Sequence, residues 1–337
     1  MKKLFINIAA FSLLILTIGV ALSLFLPVDP YWGNNEYDWK LRRYKEDHYN
    51  TVLFGSSRIY RGFDPMVFDS AVNRAATFSR KTFNLASHGT WATETFYLYD
   101  AFLLDTTLSS GVNLALVEFQ NIMSIQPRKL TSEKTVYYQD LDHYLFMCRF
   151  SYYEMLRDPK RIPSSIYSIG AFSLTTFLNL TNLKQISTKK DTSPPMRMAN
   201  TTDRGYLGFK ELNEVEVTDK HIRSLTDNIR QYKDTGTDRY NPVFYDRVMG
   251  LIERSNQRGI RLVFLLPPVR LTEGMMAVYN AIPDENRIAV VDPDEHDLLY
   301  NTENWIDPIH FNKLGTQYFT LSVGNQYLSG LKSNGTP

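Results

Sequence analysis

The sequence predicts an α/β protein: a three-layer α/β/α domain with a parallel five-stranded sheet, preceded by one transmembrane helix. Three observations carry this. Five short apolar runs, each followed by Gly, Pro or a polar residue, recur along the chain. Helical patterns lie between them, and strands alternating with helices build parallel sheets covered on both faces. Residues 4–26 form an apolar stretch with no charged side chain.

Leu4 to Leu26 would make a helix of about 34 Å, enough to cross a hydrocarbon layer of ~30 Å. Residues 1–3 form a stub in which Lys2 and Lys3 place the N-terminus in the cytoplasm. Pro27 and the segment Asp29-Pro30-Tyr31-Trp32 end the span at the outer interface. The competing reading is a cleaved signal peptide with Ala21-Leu22-Ser23 as its small-residue site, although its apolar region is normally shorter. Both readings export the rest of the chain.

Residues 27–50 read as a juxtamembrane linker, with 32–50 polar enough to be a first helix instead. The remainder, 51–337, reads as one domain. Its first strand is Thr51-Val52-Leu53-Phe54, stopped by Gly55, and its second is residues 82–86. A helix follows from about Thr90 to Leu104, and then a third strand from Leu114 to Phe119. Asn241 caps a helix with Pro242 in its first turn, and Val248, Leu251, Ile252 and Ser255 follow at helical spacing up to Gly259. Strands at 261–266 and 288–291 end at Pro267-Pro268 and Asp292-Pro293, and a last helix runs from about Asn312 to Leu331. The stretch 122–240 breaks the alternation. Rich in Tyr and Phe and then polar over 187–204, it reads as a mostly helical insertion, a lid or cap for substrate.

Composition excludes several classes. Lys+Arg 37 against Asp+Glu 36 leaves a net charge of +1, so no basic excess points to nucleic acid. The lone cysteine, Cys148, rules out an internal disulfide or a C-x-x-C site and reads as a small buried hydrophobe. Metal-ligand patterns such as H-E-x-x-H are absent, so neither metal nor cofactor is expected.

Two motifs carry chemistry. Phe54-Gly55-Ser56-Ser57-Arg58 is a strand ending in a small-residue turn before a helix, which presents a hydroxyl at the C-terminal edge of a parallel sheet, where ligands bind. Taken alone it reads better as a structural turn, since strand-Gly-Ser-Ser turns are common. Asp307-Pro308-Ile309-His310 places a carboxylate three residues before an imidazole; the carboxylate can fix the ring's tautomer and leave the other nitrogen to take a serine proton. Its setting, just ahead of the terminal helix, lifts it above ordinary surface polarity. His296, in Asp294-Glu295-His296, lacks that setting and reads as a surface loop. Arg58 and Arg61 either bind an anionic substrate or are solvated helix charges; His88 either lines the site or is structural.

With these residues the chain resembles the SGNH (GDSL-type) hydrolase superfamily over about 51–121 and 260–331. Gly55-Ser56-Ser57 resembles the Gly-Asp-Ser block, with Ser57 as nucleophile and Ser56 as the alternative. Residues 84–89 (Asn-Leu-Ala-Ser-His-Gly) resemble the second block, whose glycine N–H joins the oxyanion hole, here Gly89. Asp307 and His310, with Asn312 and Gly315, match the fifth block. The resemblance implies a flavodoxin-like sheet and a Ser57–His310–Asp307 triad. The third block, Gly-x-Asn-Asp in the family, is replaced by Glu118-Phe119-Gln120-Asn121, so the side-chain oxyanion donor falls to Asn121 or Gln120.

The resemblance, together with the apolar N-terminus, implies a membrane-anchored, extracytoplasmic esterase or O-acyltransferase. Its expected substrate is an acylated envelope carbohydrate or glycolipid, and no cofactor is implied. The alternative is an envelope assembly or polysaccharide-binding protein that keeps the fold without catalysis.

Overall fold

The computed structural model describes residues 2–25, 35–122, 141–177, 201–202, 204–208 and 217–333. The chain divides into two compact units, residues 1–35 with 123–193, and residues 36–122 with 194–337.

In the first unit, α1 (Lys2–Phe25) is a 24-residue helix. The expected span 4–26 is therefore helical up to Phe25, and Leu26 lies outside the described residues. Side chains at 16, 19, 20 and 22–25 also lie outside the description, and among the described residues no helix is long and apolar enough to cross a membrane. The described part of the insertion is helical, as expected. It consists of α7 (Leu141–Arg157) and α8 (Ile162–Phe177), which pack on each other, and α1 touches α8. Met147 and Phe150 are the buried apolar residues of α7. Cys148 is half-buried rather than buried, one position round the helix from Met147. The polar stretch 187–200 and the start of the insertion, 123–140, lie outside the described residues.

The second unit holds the sheet. Its strands are β1 (Thr51–Phe54), β2 (Thr82–Asn84), β3 (Leu114–Glu118), β4 (Arg261–Leu266) and β5 (Arg287–Ala289). They pair in parallel in the order β2-β1-β3-β4-β5, with Thr51 opposite Thr82 and Leu114, and Leu114 opposite Arg261. Nearly every strand residue is buried, as a parallel sheet covered by helices requires. The order reverses between β1 and β3, and the crevice beyond the strand C-termini at such a switch point is where open α/β sheets bind ligands.

Helices flank the sheet in two groups, and two short ones, α6 (Thr106–Ser109) before β3 and α11 (Glu273–Ala281) after β4, complete the series. Here α5 (Ala92–Leu104) packs on β1 and β3, and α10 (Pro242–Gln257) packs on β4 and on α5. Phe54 lies edge-on to Tyr99 and Phe102 of α5, with ring centroids 5.3 and 5.4 Å away. The terminal helix α12 (Lys313–Ser333) packs on α4 (Pro65–Ala75), which lies on β2, and on α3 (Ser57–Gly62). Asn241 caps α10 as the sequence predicts, its Oδ1 accepting from the N–H groups of Val243 and Phe244.

Several boundaries differ from expectation. The second strand stops at Asn84, because Asn84 Oδ1 turns back to accept from Ala86 N at 3.0 Å. The fifth ends at Ala289, with only the Val290 N–H reaching on to the Leu266 carbonyl. Residues 36–50 belong to the sheet unit and are not a linker. They open with α2 (Asn35–Tyr44), which buries Glu36, Tyr37, Lys40, Leu41 and Tyr44, all on one helical stripe. At the other end, the described residues between 201 and 240 also cluster with the sheet unit, so the inserted unit is shorter than 122–240. Part of this segment, α9 (Asp219–Tyr232), buries Ile222, Leu225 and Ile229.

Candidate active site

Gly55 ends β1, and α3 starts two residues later. Ser56 caps α3, its Oγ accepting from Arg58 N at 3.3 Å. Ser57 is therefore the first helical residue, beyond the C-terminal end of an inner strand. Nothing larger than glycine fits at 55: a Cβ there would meet Glu118 Oε2 and Ile59 Cγ1, each at 2.8 Å.

The sheet-to-helix connection at the other end of the chain supplies the partners. Trp305–Asp307 (β6) and His310–Phe311 (β7) form a small antiparallel hairpin, and Asp307 pairs with His310 across it. The rings of Trp305 and Phe311, also paired across the hairpin, pack at a tilt of 48° with centroids 4.4 Å apart. Asn312 then caps α12, its Oδ1 accepting from Leu314 N and Gly315 N. A Cβ at Gly315 would collide with the Asn304 carbonyl, which explains a glycine three residues after the asparagine.

These two pieces, 253 positions apart in sequence, meet. His310 Nε2 lies 2.8 Å from Ser57 Oγ, and His310 Nδ1 lies 2.7 Å from Asp307 Oδ2. Asp307 Oδ1 accepts from the N–H groups of Ile309 and His310 at 2.8 and 2.9 Å. Burial pushes the Asp307 carboxyl up, but the His310 bond, the Ile309 and His310 N–H groups and the His310 charge outweigh it and leave the carboxyl below its usual range. An ionised Asp307 accepts on both oxygens, so His310 Nδ1 carries the proton and Nε2 is left to accept from Ser57. Ser57 and His310 are both mostly buried, at 8% exposure each. The site can thus take the serine proton onto an oriented imidazole.

The second loop lies against the same turn. Ser87 N donates to the Gly55 carbonyl at 3.0 Å, and Thr90 Oγ1 donates to it at 2.8 Å. Gly89 sits between these two anchors with φ 70°, a conformation that favours glycine. Neither its N–H nor that of Ser57 is engaged in a hydrogen bond among the described residues. Asn84 ties this loop to α3, its Nδ2 donating to the carbonyls of Ile59 and Phe63.

Glu118 is not singled out by its chemistry in the sequence, yet it organises the turn that carries Ser57. Fully buried at the end of β3, it accepts from Ser56 N at 2.5 Å, Arg58 Nε at 2.6 Å and Gln120 Nε2 at 2.8 Å. The signal available was a carboxylate closing an otherwise apolar strand, Leu114 to Val117.

This arrangement changes the expectation for several residues. Arg58 is held by Glu118 through Nε, which makes it a partner of the turn before it is anything else. The Gln120 amide is directed to Glu118 and Thr95, leaving Asn121, half-buried at the same strand end, as the nearer candidate for a side-chain donor. Ser56 Oγ serves as a helix cap. His296 Nε2 lies 3.1 Å from Gln326 Nε2, away from the triad's bonds, in keeping with its reading as a loop residue. Among the described residues no His, Cys, Asp and Glu cluster is arranged to hold a metal. Comparison with protein-family models, with curated proteins and with solved structures finds no match for this chain.

Proposed function

We propose that the chain is an SGNH-type serine esterase or O-acyltransferase, anchored by its N-terminal helix and facing out of the cytoplasm, with an acylated envelope polysaccharide or glycolipid as substrate. The observation that carries the reading is the continuous Ser57–His310–Asp307 hydrogen-bonded relay at the C-terminal edge of a parallel sheet. The sheet order 2-1-3-4-5, flavodoxin-like, supports the same assignment.

In the proposed reaction His310 Nε2 takes the Ser57 proton as Oγ attacks the ester carbonyl. The main-chain N–H groups of Ser57 and Gly89 stabilise the oxyanion, with Asn121 as the side-chain candidate. Collapse breaks the ester C–O bond. His310 returns its proton to the departing alkoxide, and the acyl group stays on Ser57. His310 then deprotonates the second acceptor. Water gives a free acid, and a carbohydrate hydroxyl gives a new ester; both regenerate Ser57. Asp307 remains ionised throughout and stabilises the imidazolium.

The proposed anchor is read from the sequence: residues 4–26 carry no charged side chain, and Lys2 and Lys3 mark the expected cytoplasmic end. The competing reading, a non-catalytic assembly or binding protein, draws on Glu118-Phe119-Gln120-Asn121 in place of the family's Gly-x-Asn-Asp block, which leaves that block without its glycine. Turnover of p-nitrophenyl acetate by the purified full chain separates the two. The hydrolase reading expects turnover that falls at least about a thousandfold in Ser57→Ala and in His310→Ala. Turnover that is absent, or unchanged by both substitutions, favours the non-catalytic reading.

A further inference from the structure

Helix α2 lies outside every motif that pointed to the site, yet two of its buried charged residues hold the loop that carries Gly89. Glu36 Oε2 accepts from His88 N at 2.8 Å and from Ser87 Oγ at 3.3 Å. One turn further on, Lys40 Nζ donates to the Ala86 carbonyl. The same ammonium lies 3.4 Å from the centroid of the Tyr60 ring on α3, the helix that begins with Ser57. Glu36 is 9% exposed and Lys40 fully buried. Two buried charges one helical turn apart thus grip three consecutive residues of one loop, 86 to 88, while touching the nucleophile's helix.

A core stabilised only by packing would not place ionisable groups here. Burial pushes the Lys40 ammonium well below its usual range, and the Glu36 carboxylate opposes this only in part. Burying two ionisable groups is a poor route to stability, because desolvation offsets what their charges gain. What the two groups do supply is fixed geometry, through their bonds to residues 86, 87 and 88. The Gly89 N–H direction depends on the peptide planes just before it, and Glu36 fixes the one at His88 directly.

We infer that Glu36 and Lys40 of α2 are positioning residues that set the oxyanion loop against the nucleophile helix. The inference rests on the hydrolase reading above. It makes α2 part of the catalytic unit, so a chain beginning at the first strand would carry the triad with a misaligned Gly89.

The test uses the full chain in detergent micelles, with kcat, KM and melting temperature measured on p-nitrophenyl acetate. Glu36→Ala is expected to lower kcat about tenfold or more with KM within about twofold, since small displacements at a reacting centre cost large factors. Glu36→Gln keeps an oxygen to accept from His88 N–H and is expected to recover most of the lost kcat. Lys40→Met is expected to lower kcat in the same way. Arg42→Gln, on the exposed side of α2, is the control and leaves kcat unchanged. A Glu36→Ala variant with a lower melting temperature but unchanged kcat would overturn the inference, as would Glu36→Gln failing as badly as Glu36→Ala. Turnover insensitive to Ser57→Ala would sink the hydrolase reading and this inference together. Turnover dependent on Ser57 but insensitive to Glu36→Ala would sink this inference alone.

Discussion

Replacing Glu118 by glutamine changes one carboxylate oxygen to an amide nitrogen and keeps the volume. In the native site Oε2 accepts from Ser56 N and Gln120 Nε2, and Oε1 accepts from Arg58 Nε. A glutamine can keep its oxygen at the Oε2 position only by turning its NH₂ toward Arg58, donor against donor. Arg58 is 27% exposed and can swing to water, so the loss is one charge-assisted bond discounted for solvent, about 1–2 kcal/mol. Glu118→Ala strands the Ser56 and Gln120 donors and leaves a cavity, which raises the cost to about 3–5 kcal/mol. For a unit of this size these figures correspond to melting shifts of roughly 2–8 °C for Gln and 6–20 °C for Ala. The assay is thermal unfolding of the full chain in micelles, paired with ester turnover at 25 °C. Because Ser56 N–H and Arg58 flank Ser57, turnover is expected to fall further than the melting shift alone explains. A Glu118→Gln protein that melts at or above the wild-type temperature and turns over normally would refute the reasoning, because the buried carboxylate would then be a net cost rather than the organiser of the turn.

Other outcomes follow from the same geometry. Asp307→Asn is expected to lower turnover roughly 10³–10⁴-fold, since an amide at this position favours the wrong imidazole tautomer. The folded Asp307 carboxyl is depressed, so its contribution to stability is present above its unfolded value and fades as pH falls below about 4. The melting gap between wild type and Asp307→Asn is therefore expected to close on acidification, and a gap constant with pH contradicts this. Gly55→Ala forces a Cβ within 2.8 Å of Glu118 Oε2 and Ile59 and is expected to cost about 1–3 kcal/mol, less in a Glu118→Ala background, where part of the clash is gone. Equal cost in both backgrounds, read by urea unfolding, would contradict the contact. For the proposed topology, alkaline phosphatase fused after Pro337 in a bacterial host should be active and a fluorescent-protein fusion dark; the reverse pattern would place the domain in the cytoplasm.

The sequence was most readable where interactions are local. Asp307 and His310 stand three residues apart on one hairpin, and the Asn312 cap with Gly315 marks the helix that follows, so spacing and local setting together point to them. Ser57 was reachable because β1, Gly55 and the start of α3 are contiguous. Strands β1 to β4 were readable because they are almost wholly buried and so read as apolar runs, whereas the edge strand β5 buries only Ile288; the errors are one to two residues at the ends of β2, β3 and β5. Glu118 was hidden because its partners at 56 and 58 lie some 60 positions away and meet it only when β3 pairs with β1. Helix α2 was legible as the helical alternative for 32–50, but its packing against the sheet unit was hidden for another reason. Its buried stripe, 36, 37, 40, 41 and 44, has helical spacing but includes a glutamate and a lysine, so an apolar-periodicity reading passes over it.

The central claim is that Ser57 is a nucleophile activated by His310. The most direct measurement is reaction of the intact protein with a fluorophosphonate, followed by mass-spectrometric mapping of the adduct. The account predicts a single covalent adduct on Ser57 that is lost in Ser57→Ala and slowed at least about a thousandfold in His310→Ala. An adduct on Ser56, or labelling indifferent to His310, would contradict it.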